Sequence, residues 1–157
     1  MINVSNFSSR GSAEPGTGEA GNLTIEANSI SLDNDTIITA GTQSGNGGNI
    51  SLKVADDITL GNDSTISAKA FNNANGGNLT IDTNFIVAFP DGNNDIIANA
   101  AQGTGGNINI TAESLFGIEE RLQNDFTNDI DASSEFGFNG NVSINTPEAG
   151  AIQGVSC

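Results

Sequence analysis

The phrase GGNISL at Gly47–Leu52 returns in close copies along the chain: GNLTI from Gly21, GGNLTI from Gly76, GGNINI from Gly105 and GNVSI from Gly140. Aligned on their first aliphatic residue, Leu23, Ile50, Leu79, Ile108 and Val142 follow one another at steps of 27, 29, 29 and 34 residues. Self-similarity at such a period marks a stacked repeat, because a single unit of that size cannot bury its own apolar face. Two residues on stands a second aliphatic residue, Ile25, Leu52, Ile81, Ile110 or Ile144. The residue between is small and polar: Thr24, Ser51, Thr80, Asn109 or Ser143. That alternation is the two-residue period of a half-buried strand.

A second ladder reads I-x-A, at Ile38/Ala40, Ile66/Ala68, Ile96/Ala98 and Ile130/Ala132. A third and weaker one lies between them, at Ile30/Leu32, Ile58/Leu60, Ile86/Ala88 and Leu115/Gly117. Turn residues such as Asn-Asp, Asn-Gly and Gly-Asn separate the three. The pattern predicts an all-β chain folded as a single-stranded parallel β-helix, a solenoid of about four coils with three short strands each. Right-handed winding follows from the chirality of parallel crossovers. Coils start near residues 21, 48, 77, 106 and 140, so the solenoid occupies residues 21–146. Residues 1–20 read as a loose segment or partial cap, and 147–157 as a tail. An array of helices would need apolar residues at i, i+3 and i+4, where this chain has Gly, Asn, Thr and Ser. A sandwich or propeller does not account for one phrase opening every unit.

Glycine before asparagine suits the sharp turns between faces, since Gly takes φ > 0 freely and Asn tolerates it. Asn22, Asn49, Asn78, Asn107 and Asn141 are expected to stack as an amide column along the axis. The loop Phe71–Gly76 and the segment Phe89–Asn94 are expected to bulge from the stack. Gly117–Asn128 (GIEERLQNDFTN) reads as an excursion with a helical turn, covering a satellite cluster of Phe116, Phe126, Phe136 and Phe138.

Charge and composition narrow the function classes. Four basic residues stand against 19 acidic ones, a net charge of −15. Nucleic acid is excluded as a partner, because almost nothing is present to neutralise phosphates. Anionic membrane surfaces repel such a chain, and no stretch is apolar and long enough to insert in a bilayer. Histidine is absent, which removes His-based triads, imidazole metal sites and the usual proton shuttle. The one cysteine, Cys157, forms no internal disulfide. The N-terminus lacks the apolar core of a signal peptide. This points to a cytoplasmic protein or to a chain without the start of a longer secreted one. Both ends of the solenoid read as uncapped, as in a piece of a longer protein.

The candidate sites are few. The sequons at Asn22, Asn49, Asn62, Asn78 and Asn141 follow from the strand pattern itself, with Asn opening the strand and a hydroxyl facing out. GNGGN at Gly45–Asn49 lacks the Asp of calcium-binding glycine-rich repeats. Asp33, Asp35 and Asp63 offer at most weak Ca²⁺ ligands. No metal, cofactor or catalytic residue is therefore expected. Paired carboxylates at glycosidase spacing would have to come from Asp56/Asp57, Glu119/Glu120 or the column Asp95/Asp129. Neighbours on a strand point to opposite faces, and Arg10, Lys53, Lys69 and Arg121 are too scattered to hold an acidic polymer. The outward column Thr24, Ser51, Thr80, Asn109 and Ser143 forms a flat polar face of a kind that could meet glycans or ice.

Two phrases are more distinctive than the repeat: SLFGIEER at Ser114–Arg121 and DIDASSEFGFNGNVSINTPE at Asp129–Glu148. With the GGN-[IL]-x-[IL] openings, they resemble the large exoproteins of cyanobacteria related to filamentous haemagglutinins, over about residues 20–148. The resemblance implies a right-handed parallel β-helix exported by two-partner secretion, through an outer-membrane exporter, to the cell surface or medium. It implies an adhesin, with surface glycans or other cells as partners. The chain departs from that family in lacking the N-terminal secretion domain, so export attaches to a parent protein. On these grounds the expectation is a non-catalytic structural and adhesive module. The alternatives are a polysaccharide hydrolase or lyase on the same fold, or a truncated, non-functional fragment.

Overall fold

The structure, a computed structural model, describes residues 1–5 and 19–146. The tail at 147–157 with Cys157, Arg10 and most of the N-terminal segment lie outside the described residues. The fold is a parallel β-solenoid with no helix among those residues, as the repeat predicts. Sheet I contains β2 (Leu23–Ala27), β5 (Ile50–Val54), β8 (Leu79–Asp82), β11 (Asn107–Thr111) and β15 (Asn141–Asn145). Sheet II contains β3 (Ile30–Leu32), β6 (Asp57–Leu60), β9 (Phe85–Ala88) and β12 (Ser114–Phe116). Sheet III runs in the order β1 (Ile2–Asn3), β4 (Ile37–Thr39), β7 (Thr65–Ser67), β10 (Asp95–Ile97), β14 (Asp129–Asp131) and β13 (Glu119–Glu120).

All three ladders hold their register. Leu23, Ile50, Leu79, Ile108 and Val142 are successive backbone partners in sheet I. Ile30, Ile58, Ile86 and Leu115 are partners in sheet II, and Ile38, Ile66, Ile96 and Ile130 in sheet III. The inward side chains form one core: Ile50, Leu52, Ile58, Leu60, Ile66, Leu79, Ile81, Ile86, Ile96, Ile108 and Ile110 are all 0–1% exposed. At the two ends Leu23, Ile25, Leu115, Val142 and Ile144 pack against it half-buried.

The strand-opening glycines are required for a reason other than the turn geometry expected of them. Positive φ among the described glycines occurs at Gly45, Gly92 and Gly117, not at the glycine that precedes each asparagine. There the constraint is close approach between coils. A β-carbon on Gly77 would stand 1.9 Å from the Gly48 carbonyl oxygen, and one on Gly106 1.8 Å from that of Gly77. The left-handed backbone is instead carried by Asn34-Asp35 and Asn62-Asp63, where sheet II turns into sheet III.

Each passage from sheet III to sheet I is closed by one hydrogen bond, from the Gly48, Gly77, Gly106 or Gly140 N–H to the Ala40, Ala68, Ala98 or Ala132 carbonyl. The loops so pinched off stack in turn. Thr42, Ala70, Ala100 and Ser134 bridge in sequence, and Ala70, Ala74 and Ala100 form a second small core. The bulge expected at Phe71–Gly76 is part of this fourth ladder.

Three expectations are corrected. Three coils are regular in all sheets, against about four expected, because the fourth is interrupted between β12 and β14. Gly117–Asn128 forms no helical turn: Glu119–Glu120 pairs in parallel with β14 and covers the outer edge of sheet III. Ile118, 4% exposed, anchors this excursion in the core. The four phenylalanines do not cluster beneath it, since Phe116, Phe126, Phe136 and Phe138 are 51–92% exposed. The loop is held by polar groups instead. At the other end, Ile2–Asn3 pairs in parallel with β4 at the opposite edge of sheet III.

The glycine column gives a direct test. Gly77→Ala is expected to destabilise the fold by about 1–3 kcal/mol or more, the usual cost of overpacking. The measurement is chemical unfolding monitored by far-UV circular dichroism. An unchanged midpoint would refute the close-approach argument.

Candidate functional site

Sheet I presents a continuous polar face because strand alternation sends every second side chain outward. Its first column is Thr24, Ser51, Thr80, Asn109 and Ser143, in register across five strands. The second is Glu26, Lys53, Asp82, Thr111 and Asn145, in the same registers. Rungs lie about 4.8 Å apart, and columns two residues apart are about 6.7 Å from each other. Lys53 sits in register between Glu26 and Asp82, so its charge is flanked on both sides by carboxylates. Where the sheet turns toward sheet II, these three residues with Asn28 and Asn84 line a shallow trough of about 850 Å³.

The asparagine column borders the same face. Asn49 Nδ2 donates to Asn22 Oδ1 at 3.0 Å, Asn78 Nδ2 to Asn49 Oδ1 at 2.9 Å, and Asn107 Nδ2 to Asn78 Oδ1 at 3.2 Å. Asn141 continues the backbone register from Asn107. Each amide thus fixes the next. The sequon asparagines Asn22, Asn49 and Asn78 belong to this ladder.

The Asp95/Asp129 column exists, but it is buried: Asp95 is 1% exposed and Asp129 0%. The Asp129 N–H donates to Asp95 Oδ1 at 2.9 Å, which places the two residues on successive rungs. Asp129 Oδ1 accepts from Arg121 Nε at 2.5 Å and Thr127 Oγ1 at 2.7 Å, and its Oδ2 accepts from the Asn124 N–H at 2.9 Å. Asp95 Oδ2 accepts from Gln123 Nε2 at 2.8 Å and Asn93 Nδ2 at 3.1 Å. Asp131 receives the Gln123 and Ser133 N–H groups. These carboxylates hold the 117–128 excursion in place. Burial pushes the Asp95 carboxyl above its usual range; Asp129 adds to this, while Gln123, the Asp129 N–H and Asn93 oppose it.

The other carboxylate pairs stay apart from any enclosed site. Glu119 and Glu120 are exposed on β13, with a 3.5 Å contact from Arg121 to Glu119. Such an exposed ion pair contributes little. Asp57 accepts from Ser29 Oγ at 2.7 Å, and Asp56 is exposed. Asp33, Asp35 and Asp63 are not gathered into a chelating group. No set of three His, Cys, Asp or Glu side chains is placed to hold a metal among the described residues.

Sequence reasoning missed an inward polar ladder. The Ser64 N–H donates to Asn94 Oδ1 at 3.0 Å, and the Asn94 N–H to Asn128 Oδ1 at 2.8 Å. Both asparagines are buried. The signal was present in Asn-Asp-Ile at 94–96 and again at 128–130. No family model matches the chain, and no curated protein or solved structure matches it either.

Asp95 sets a pH dependence. Its folded-state pKa lies above the unfolded value of about 3.9, so its contribution is fully present below that pH and is lost as pH rises through the folded value. The stability advantage of wild type over Asp95→Asn is therefore expected to shrink between about pH 3 and pH 7. Thermal melts of both proteins across that range check this. A constant or widening advantage would contradict it.

Proposed function

We propose that the chain is a non-catalytic structural and adhesive module that builds the length of a solenoid and offers its flat polar face to glycans on other cells. The parent would be a secreted or cell-surface exoprotein of the filamentous-haemagglutinin kind, exported through an outer-membrane partner. The observation that carries the reading is the unbroken polar face of sheet I, with Thr24, Ser51, Thr80, Asn109 and Ser143 in register above a purely aliphatic inner column. Hydroxyls and amides both donate and accept, and their regular spacing matches an extended, polyhydroxylated chain better than a compact ligand. Backbone ladders keep the face rigid, so little ordering entropy opposes binding. A hydrolase or lyase would need free carboxyl groups facing a sugar. Asp95 and Asp129 are instead buried and bonded to loop donors and to the Asp129 N–H.

A panel of immobilised polysaccharides tests the reading. Wild type is expected to bind at least one neutral polymer. Thr80→Tyr, at the centre of the face, is expected to weaken that binding by about tenfold or more, since a ring there interrupts the flat array. Binding to no polymer, or binding indifferent to Thr80→Tyr, would sink the assignment of this face.

A further inference from the structure

At the corner where sheet II turns toward sheet III, equivalent positions of successive coils hold Asp33, Gly61 and Phe89. The glycine leaves a notch between a carboxylate and an aromatic ring. The point where a Gly61 β-carbon would stand lies 3.2 Å from Asp33 Oδ1 and 3.4 Å from Phe89 Cδ2. Thr59, Asn62 and Asp91 line the same cavity, whose volume is about 310 Å³.

Both walls are fixed in place. Asp33 Oδ1 accepts from Asn62 Nδ2 at 2.7 Å and Asp33 Oδ2 from Asn34 Nδ2 at 3.3 Å, leaving further lone pairs on each oxygen. The Phe89 N–H donates to the Leu60 carbonyl at 2.9 Å. Its own carbonyl accepts from the buried amides of Asn94 and Asn128, both at 3.0 Å. A backbone clamped by three hydrogen bonds therefore holds out a ring that is 50% exposed. An aromatic side chain kept half in water on so rigid a frame is preorganised for a ligand.

The chemistry of the notch selects a cation. Asp33 and Asp91 bring negative charge, none of Lys53, Lys69 and Arg121 lines the cavity, and the ring face attracts positive charge. A planar guanidinium can lie on the ring while donating to the carboxylate, which a point-like ammonium does less well. We propose that the Asp33–Gly61–Phe89 notch is a binding site for an arginine side chain of a partner polypeptide. This site lies apart from the polar face of sheet I and stands independently of the glycan reading.

The test is an NMR titration of the full chain, following the backbone amides of Gly61 and Asn62. The probes are doubly blocked arginine, doubly blocked citrulline as its uncharged isostere, and N-acetylglucosamine. Arginine is expected to shift both amides in a saturable manner, with citrulline about tenfold weaker and the sugar inert. Gly61→Ala fills the notch, and its φ is not in the left-handed region, so it should fold with an unchanged melt yet bind arginine about tenfold more weakly. Phe89→Ala and Asp33→Asn should each weaken binding in the same way, and they carry the test should Gly61→Ala fail to fold. Equal shifts with citrulline or with the sugar would overturn the proposal, as would arginine binding that all three variants leave intact.

Discussion

Each coil of this protein is buried only by its neighbours, so everything depends on how closely the coils approach. Parallel strands must sit about 4.8 Å apart to share their backbone hydrogen bonds. At the corner between sheets III and I the chain meets that spacing with bare glycine backbone, because any side chain at Gly48, Gly77, Gly106 or Gly140 would overlap the carbonyl of the coil before it. The closing bond from the I-x-A carbonyl to that glycine then fixes where the next strand begins. Register follows, and with register the stacking of aliphatic residues on aliphatic residues inside and of small polar residues on small polar residues outside.

The departures from the repeat are where the molecule acquires individual features. The excursion at Gly117–Asn128 sends β13 ahead to cover the sheet III edge before the chain returns to lay down β14. Buried carboxylates at Asp95, Asp129 and Asp131 hold it through loop amides and Arg121. An exposed acidic pair on an edge strand discourages further pairing there. At the next corner, Phe89 stands at the position equivalent to Gly61 and Asp33, and its carbonyl is bonded by Asn94 and Asn128.

Much of the fold was legible in the residues. The three ladders of aliphatic residues assigned the strands, their order and the partner of nearly every rung, because in a solenoid equivalent positions in sequence are neighbours in space. The outward column Thr24–Ser143 and the amide ladder from Asn22 followed from the same rule. Isolated features were harder to read. Phe116, Phe126, Phe136 and Phe138 read as a satellite cluster, but nearness in sequence is not nearness in a core, and all four are exposed. Asn94 and Asn128 looked like turn residues, although their buried amides tie the coils together from within.

The sequence by itself determined the period, the three-sided parallel solenoid and the division of side chains between core and surface, because these depend only on repetition and two-residue alternation. Tertiary structure alone decided which glycines are fixed by close approach and which by backbone angle. It also decided that the Asp95/Asp129 column is a buried clasp and that Asp33 faces Phe89. Those outcomes fall at equivalent positions of successive coils, but repetition fixes only which residues are neighbours; burial depth, backbone approach and the loop donors that reach a carboxylate are set by the folded path.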